Sequence, residues 1–318
     1  MSIRVRKPGL LTTVQDRGRH GFAGLGIGSA GAMDDVAMRL ANALVGNEDH
    51  CAALEMTLLG PLLQFERAAT IALCGAEVDA RLGNAVLPMW SRVEVAAGST
   101  IDCMHMRRGA RAYLAVAGGF VTPRVLGSAA SDLHGGIGRP ALVAGDELVI
   151  DDRAQQSITR SRSWQLDPGP WFDASATRPL HLIAATHSGL LDERSRALLH
   201  TTEFHVANDS NRVGCRLDGE RLALAHAVET ISEPVARGTV QLPPGGQPIV
   251  LMAEHPTTGG YPRIGQVAAS DVHLLAQRRP GDRVRFAAIT LDDAQSRYLE
   301  HERALGTLIR AIHERLHA

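Results

Sequence analysis

The chain has 318 residues, of which 45% are hydrophobic and 21% charged, a composition typical of folded proteins rather than disordered ones. At roughly 150 residues per domain, this length predicts two domains. Thirty-three basic residues balance 34 acidic ones, so the net charge of −1 provides no overall field that would attract nucleic acid or an anionic membrane.

The basic residues are almost all of one kind. Lys7 is the only lysine, so a P-loop lysine, a Schiff-base lysine or a carboxylated lysine inside the fold is not expected. Phosphate or carboxylate groups would then be bound by arginine side chains, backbone N–H groups or a metal.

Cysteine usage and hydropathy predict a soluble cytoplasmic protein. The four cysteines, at positions 51, 74, 103 and 215, form no CxxC pair, which argues against a zinc ribbon or a disulfide framework. The N-terminus has no apolar signal segment, and no apolar stretch approaches the 18 or so residues that span a bilayer.

Short strands separated by glycine-rich turns are predicted along most of the chain. In chain order, the strand-like runs are 70–73, 93–95, 112–117, 147–150, 180–184, 249–252 and 283–288. Two segments have helical periodicity instead. Residues 34–45 place apolar side chains on one face and end at Gly46, and residues 292–317 form a longer amphipathic segment.

Two pairs of similar segments suggest an internal duplication. Residues 81–87 resemble residues 216–222 at an offset of 135, and residues 145–148 resemble residues 281–284 at an offset of 136. Chance similarity stays an alternative, because Gly-Asp turns that enter strands are common.

The predicted organisation is a pair of β domains in tandem. It comprises an N-terminal β domain (1–150) with a glycine-rich loop and one helix, a linker (151–179), a C-terminal β domain (180–290) and a C-terminal helix (291–318). Trp164, Trp171 and Phe172 predict that the linker packs against protein and is not a free tether.

The glycine-rich loop at residues 26–31 matches GxGxxG. A dinucleotide site would need a buried strand before it, and the preceding segment 16–21 is polar and turn-like, so a Rossmann fold is not expected. Glycines nevertheless allow a ligand to approach the backbone, and a helix start attracts anions. The loop is therefore either part of a binding site or a structural turn with a helix cap.

The densest polar cluster is at residues 254–262 and follows the apolar run 248–252. Hydroxyls, a glycine pair and one of only three tyrosines suit an anion or an acyl oxygen, with an ordinary turn as the alternative. Residues 241–247 precede the same apolar run and include an amide donor, Gln241. Residues 210–212 suit either a turn or an arginine contact.

Residues 313–317 are a literal HExxH. Zinc peptidases need a third ligand downstream of this motif, and here only Ala318 follows. We therefore interpret the motif as the exposed end of an amphipathic helix and predict no metal ligands.

These motifs closely resemble the biotin-dependent carboxyltransferase-like family, which includes the C-type subunit of 5-oxoprolinase, allophanate hydrolase subunit 2 and the KipA-type proteins. The matching segments are 9–19, 29–34, 39–42, 53–55, 118–120, 126–128, 238–244, 257–262 and 276–282. They occur in order over almost the whole chain. The chain departs from the usual pattern at residues 184–191, 212–217 and 254–256. These departures bear on which substrate the chain would bind and on whether it keeps the activity.

The resemblance implies a mainly β fold of two tandem cyclophilin-like β-barrel domains with a few helices, including the C-terminal one. It implies an obligate partner, the KipI-type or B-type subunit of 5-oxoprolinase, together with an A-type subunit. The implied reaction opens 5-oxo-L-proline to L-glutamate with ATP and Mg²⁺. The alternatives are a carboxyltransferase subunit that acts on urea or another amide with biotin, and a non-catalytic KipA-type regulator of a kinase inhibitor.

The resemblance also suggests site residues. The candidates are Tyr261, Asp34 and Gln241 as catalytic residues, and Arg19, Ser29, Arg212, His255, Thr258, Gly259 and Gly260 as substrate-binding residues. Tyr261 and Gln241 would orient the amide, and Arg19 would neutralise phosphate or carboxylate. Asp34 would bind a metal or move a proton, with helix capping as its structural alternative.

Overall fold

The computed structural model describes residues 2–151, 164–173, 177–226, 228 and 230–317. Within them the chain forms two compact units, each with one large β-sheet. The described residues of the N-terminal unit fall within Met1–Arg19, Ala30–Ala174 and Ala304–Ala318, and those of the C-terminal unit within His20–Ser29 and Ser175–Arg303. The predominance of strands confirms the predicted mainly β class.

The N-terminal sheet is antiparallel throughout its recorded pairings. Its described strands are β1 (Ser2–Lys7), β2 (Leu11–Gln15), β3 (Ala53–Thr57), β4 (Leu62–Phe65), β5 (Ala69–Leu82), β6 (Ala85–Val86), β7 (Arg92–Val95), β8 (Thr100–Val116), β9 (Phe120–Val121) and β10 (Glu147–Ile150). Their order is β2-β3-β8-β4-β1-β10-β9, and β5 pairs with β6, β7 and β8. Alternate residues of these strands, such as Leu54, Met56 and Leu114, point to one face and form an apolar core.

The long pair β5–β8 contains a bulge that requires glycine. The pairing runs from Ile71 opposite Val116 to Leu82 opposite Ile101, with register shifts after Gly75. Gly75 has φ +98°, and a Cβ there would lie 2.5 Å from the carbonyl oxygen of Arg111. A side chain would therefore clash with the facing backbone.

The C-terminal sheet closes on itself. The strands of this unit are β11 (Leu180–Ala184), β12 (Phe204–Val206), β13 (Gly214–Asp218), β14 (Glu233–Pro234), β15 (Thr239–Gln241), β16 (Ile249–Leu251), β17 (Thr258–Gly259), β18 (Arg263–Val267), β19 (Arg283–Val284) and β20 (Phe286–Ala288). The large sheet has the order β19-β12-β13-β16-β15-β18-β11-β20, and β14 pairs separately with β17. Because only Arg285 separates β19 from β20, the two ends of this order are one continuous segment. The result is a barrel, as predicted.

Four helices occur in the described residues: α1 (Asp35–Leu44), α2 (Glu193–Thr201), α3 (Val272–Ala276) and α4 (Leu291–His317). The predictions of α1 and α4 are confirmed. The sequence pattern missed α2 because the helix is mostly polar and buries only Ser195 and Leu199. It missed α3 because a five-residue helix is too short to show periodicity.

Helix α1 is a core helix of the N-terminal unit. Nine of its ten residues are buried, and Leu305, Ile312 and Leu316 of α4 belong to the same apolar cluster. A helix that is buried on all sides derives its stability from tertiary packing more than from its own propensity.

The aromatic residues of the predicted linker pack as expected. Phe172 is buried in the α1 cluster, and Trp164 and Trp171 pack against it. The guanidinium of Arg315 lies 5.2 Å from the centre of the Trp164 ring. The other linker residues from 152 to 163 and from 174 to 176 lie outside the described residues.

The chain changes unit inside the predicted linker, at both ends of the loop 20–29 and within α4. The loop 20–29 was predicted within the first domain, whereas its contacts group it with the C-terminal unit. Helix α4 was predicted as a separate element, whereas its residues are divided between the units at Arg303. Sequence patterns report local periodicity and do not show which core a loop or helix contacts.

The similar Gly-Asp turns adopt the same geometry. In the turn 145–146, the glycine N–H donates to Val5 O at 2.8 Å and the aspartate carbonyl accepts from Val5 N at 2.9 Å. The turn 281–282 makes the same two bonds with Val206, at 2.8 and 3.0 Å. The two turns therefore share one local structure. Because the strand order differs between the two sheets, the duplication of a whole domain stays a prediction.

Among the described residues, the helices lack the combination of length and apolar character that crossing a membrane demands.

The four cysteines are free thiols. Burial raises the pKa of Cys103 to about 12, which makes its thiolate scarce at neutral pH.

We expect Gly145→Ala and Gly281→Ala to destabilise the protein by about 1–2 kcal/mol each. Both glycines have left-handed backbone, with φ of +94° and +86°, and an added Cβ would meet no atom within 4 Å. The cost is therefore backbone strain alone. Urea unfolding would measure it, with Gly245→Ala as the control, because Gly245 is equally open but is not left-handed. Equal stability of all three variants would contradict the shared-turn interpretation.

Candidate functional site

The carboxylate of Asp16 joins two loops of the N-terminal unit. Asp16 follows β2, and its Oδ1 accepts hydrogen bonds from Gly18 N at 2.8 Å and Ser128 Oγ at 2.6 Å. Its Oδ2 accepts from Ala129 N at 2.7 Å. With Asp16 buried, these bonds to an ionised group fix the loop after β2 against the loop 128–132.

Arg19 lies at this junction and is buried. Its Nη2 donates to Ala130 O, and its Nη1 lies 4.0 Å from Oδ2 of Asp132. The Nε and Nη1 atoms of Arg19 have no hydrogen-bond partner. The predicted anion-binding side chain is therefore held in place by one bond and retains unused donors.

Gln15 and Ser131 are two neighbouring polar residues that were not among the predicted site residues. Gln15 Nε2 donates to Ser131 O and to Thr13 Oγ1, both at 3.0 Å. The Gln15 Oε1 atom and the Ser131 hydroxyl are buried without a hydrogen-bond partner. Gln15 lies within the matching segment 9–19 and Ser131 lies three residues after the segment 126–128, but no local pattern marks either residue as functional.

Asp34 is the N-cap of α1. Its Oδ1 accepts from Ala37 N at 2.9 Å, which is the structural alternative considered from the sequence. Its backbone N–H donates to the Tyr113 hydroxyl at 2.7 Å, and that hydroxyl donates to Glu55 Oε2 at 2.7 Å. Burial and the neighbouring Glu55 and Asp34 raise the pKa of Tyr113. A catalytic role for Asp34 stays a prediction.

Ser29 is half-buried and lies in the loop His20–Ser29, which belongs to the C-terminal unit. Its substrate-binding role stays a prediction. The GxGxxG segment does not follow a strand of a parallel sheet, because the recorded pairings of the N-terminal sheet are antiparallel.

In the C-terminal unit, Gln241 lies against the predicted glycine pair. Gln241 ends β15 and is buried, and its Nε2 has no hydrogen-bond partner. A Cβ added to Gly259 of β17 would lie 2.3 Å from that Nε2. Only glycine at position 259 leaves room for the Gln241 amide, so the structure brings these two predicted residues together.

Thr258 is exposed on β17, and Gly260 and Tyr261 follow that strand and are exposed as well. The Gly260 carbonyl accepts from Thr230 Oγ1, and the Tyr261 side chain is 46% exposed. They can meet a ligand or a partner protein from solvent.

Arg212, Glu254 and His255 form a second group in this unit. Arg212 Nε donates to Glu254 Oε1 at 2.6 Å, and both side chains are buried. His255 Nδ1 lies 2.7 Å from Pro256 O, so the neutral ring donates there and leaves Nε2 as an acceptor. Burial lowers the pKa of His255, with Arg237 acting in the same direction. Substrate contacts by Arg212 and His255 stay predictions.

The helix starts do not fit a nucleoside triphosphate. Asp34 caps α1, Asp192 caps α2 and accepts from Ser195 N at 2.6 Å, and α4 begins with Asp292 and Asp293. These carboxylates bond backbone N–H groups that a phosphate would use at a helix N-terminus, or repel the negative charge of the phosphate. In the part of the chain that the structure describes, no group of three or more His, Cys, Asp or Glu side chains is arranged for a metal ion.

We expect Tyr113→Phe to destabilise the protein by about 1–3 kcal/mol, because it removes the hydroxyl that accepts from the buried Asp34 N–H and donates to Glu55. Urea unfolding would measure the loss. Tyr298→Phe is the matched control, because Tyr298 is 41% exposed. An equal stability of the Tyr113 variant and the wild type would contradict a structural role for this phenol.

We expect His255 to make stability depend on pH. Its pKa is lowered in the folded state, so below about pH 6.5 the unfolded chain takes up a proton that folded His255 resists. This contribution to stability is present above that pH and is lost as the pH falls towards the lowered pKa. Urea unfolding at about pH 7.5 and about pH 5.5 should show a smaller difference for His255→Gln than for the wild type. His205→Gln, at an exposed position of β12, is the control, and an undiminished difference in His255→Gln would contradict the assignment.

Comparison with known proteins agrees with the fold. The family "Carboxyltransferase domain, subdomain A and B" matches residues 25–288. The C-type subunit of 5-oxoprolinase from Escherichia coli is 38% identical over 308 residues, which cover 94% of this chain and 96% of the relative. The C-type subunit of 5-oxoprolinase from Haemophilus influenzae is 35% identical, over 95% and 96% of the respective chains.

Among solved structures, Kluyveromyces lactis urea carboxylase superposes on 96% of this chain with a TM-score of 0.85 and 26% identity. This chain spans 29% of that protein and 20% of the K. lactis urea amidolyase. The matched regions include both described units. The chain belongs to the carboxyltransferase domain A and B family.

Proposed function

We propose that this chain is the C-type subunit of an ATP-dependent 5-oxoprolinase. With a KipI-type (B-type) subunit, and with an A-type subunit, it opens the ring of 5-oxo-L-proline to give L-glutamate in the cytoplasm. The observation that carries the proposal is the near-complete coverage, on both sides, of two relatives named as the C-type subunit of 5-oxoprolinase.

The second candidate is carboxyl transfer from biotin to urea or another amide. It is supported by the similarity to K. lactis urea carboxylase over nearly the whole of this chain. The urea carboxylase and urea amidolyase relatives are much longer proteins, however, of which this chain covers only 17–26%. The lower identity to these relatives, 27–32% against 35–38% for the oxoprolinase subunits, favours the oxoprolinase.

The Gln241 amide suits the chemistry of a lactam. A five-membered lactam is a poor electrophile, so opening it requires that negative charge on the carbonyl oxygen be stabilised by fixed donors. Gln241 presents a buried N–H group that the protein itself leaves unpaired, and a buried unpaired donor is costly unless a ligand uses it. We propose that this N–H binds an amide oxygen, with Thr258, Gly260 and Tyr261 at the exposed side.

ATP and Mg²⁺ are assigned to the partner subunits in this proposal. The described helix starts carry carboxylates, and Lys7 lies exposed on β1, so neither suits a triphosphate. The contribution of this chain is then to bind and orient the amide. In this proposal the reaction requires a complex, because the partner subunits supply the nucleotide site.

We expect 5-oxoproline to stimulate ATP hydrolysis by this chain mixed with its B-type partner. If the pair alone hydrolyses no ATP, the A-type partner is added. Gln241→Met should reduce the stimulated rate about 100-fold, because it removes one fixed donor from the oxygen. Gly259→Ala should act in the same direction, because its Cβ would displace the Gln241 amide.

Two controls accompany this measurement. Gln295→Met changes an exposed glutamine of α4, and Gly245→Ala adds a methyl group in open space; both should retain the stimulated rate. Stimulation that survives in both Gln241→Met and Gly259→Ala would exclude the amide role. No stimulation of the wild type, despite a stable complex, would overturn the oxoprolinase proposal in favour of carboxyl transfer.

A further inference from the structure

A cavity lies at one end of the C-terminal barrel, between helix α2 and the parallel strands β11 and β20; it is called the α2 cavity below. Its volume is about 320 Å³, which is within the range of small-molecule sites, roughly 300–1,000 Å³. All of its lining residues fall between Leu182 and Ile289, within the C-terminal unit. Gln241 does not line it, so the α2 cavity is distinct from the proposed amide site.

The wall of the α2 cavity is mainly apolar. Four of the side chains that line it are each at most 3% exposed: Leu182, Leu191, Leu199 and Ile264. Removing an apolar group of a ligand from water against such a wall is favourable. The wall therefore suits a ligand with an apolar body.

Two polar side chains of α2 line the same cavity. Arg196 and His200 are four residues apart, so they project from one face of the helix. Arg194 pairs with Glu220 at 3.5 Å, whereas Arg196 forms no ion pair with any residue that the structure describes. No aspartate or glutamate in the described part of the chain lines the cavity. A guanidinium in this position favours an anion.

The acid one turn before Arg196 is used by the helix itself. Asp192 caps α2, and its Oδ1 accepts a hydrogen bond from Ser195 N at 2.6 Å. That bond lowers the pKa of Asp192, and the neighbouring Arg194 and Arg196 lower it further. Because Asp192 is engaged in the cap, the guanidinium of Arg196 retains N–H groups that a carboxylate of a ligand can accept.

Gly189 leaves space at the lining of the α2 cavity. It lies in the single turn Ser188–Leu190 after β11, and a Cβ there would meet no atom within 4 Å. Its backbone is not left-handed, so the conformation does not require glycine. This turn is part of the segment 184–191, in which the chain departs from the family pattern. A ligand at this place is not among those that the resemblance implies.

We infer that the α2 cavity binds a small monocarboxylate with a branched aliphatic or phenyl body. The body packs against Leu182, Leu199 and Ile264, and the carboxylate accepts hydrogen bonds from Arg196 and His200. 4-Methylpentanoate represents this class. Neither 5-oxoproline nor glutamate has such a body, so the site goes beyond the proposed function.

Arg196→Gln tests the recognition of the carboxylate. In isothermal titration calorimetry at neutral pH, this variant should bind 4-methylpentanoate about 10-fold more weakly than the wild type. 4-Methylpentanamide has the same body without the charge, so the two proteins should bind it equally, and the wild type should bind it more weakly than the acid. Arg194→Gln is the matched control on the same helix, because the Arg194 side chain is 78% exposed and pairs with Glu220. It should bind the acid as the wild type does.

Gly189→Leu tests the cavity itself. The added side chain takes up space at the lining, so binding of both the acid and the amide should weaken by about 10-fold or more. The urea midpoint should stay close to that of the wild type, because the new side chain meets neither a clash nor left-handed backbone. Gly245→Leu is the matched control. Gly245 is equally open and not left-handed but does not line the cavity, so this variant should bind both compounds normally.

The inference is overturned if the wild type binds no 4-methylpentanoate, or if Arg196→Gln and Gly189→Leu bind it as tightly as the wild type. Equal affinity of the wild type for the acid and the amide would also overturn it, because the cation would then contribute nothing. Binding by the free chain that is lost in the complex with the B-type partner would assign the cavity to that partner instead. None of these measurements involves 5-oxoproline, so the proposed function is tested separately by the stimulated ATP hydrolysis.

Discussion

The bonds of the Asp16 carboxylate are the constraint on which the N-terminal site depends. The segments that they join, 16–19 and 128–132, are loops whose backbones have no complete strand partner to hold them. Three bonds to one buried carboxylate replace that partner. The backbones of Gly31 and Gly18 are packed closely, because a Cβ on Gly31 would lie 2.9 Å from Gly18 N. Arg19 and Ser131 owe their positions to this junction.

The two units present the same physical situation with different chemistry. Curled and closed sheets satisfy nearly all backbone groups by strand pairing, so the side-chain atoms that remain unpaired in their interiors stand out. In the C-terminal unit the unpaired atoms include the Gln241 amide nitrogen, a neutral donor suited to an amide oxygen. In the N-terminal unit they include two nitrogens of the Arg19 guanidinium, a cation suited to an anion.

The sequence predicts the local features well and the long-range ones poorly. The strands 147–150 and 180–184 and the capped helix α1 carry their signals in adjacent residues, and the structure has them with the predicted bounds or close to them. The length of β5 was missed because Gly75 and its bulge interrupt the alternation. Gln15 and Ser131 were missed for a different reason. Their contact joins residues 116 positions apart, and no periodic pattern encodes such a pairing.

The candidate site shows the same division. Residue type and family resemblance predicted Arg19, Gln241 and Gly259 as site residues. They did not predict that Arg19 and Gln241 retain unpaired atoms, or that Gly259 lies against Gln241. Those properties arise from burial, which composition does not specify for a single polar residue. Asp34 shows the reverse case. A carboxylate before a helix is equally typical of a cap and of a functional acid, and the structure supplies the bonds of a cap.

Carboxylates at the helix starts limit where the chain could bind an anion. Asp34 accepts the N–H of Ala37 at the start of α1, so that group is already used, and the negative charge of the cap disfavours a phosphate at the same place. Because Lys7 is the only lysine, arginine and amide side chains are the remaining side-chain donors with which the chain could bind an anion or an amide oxygen. Such donors act at the positions to which the sheets carry them, whereas a helix start offers its N–H groups wherever the helix begins.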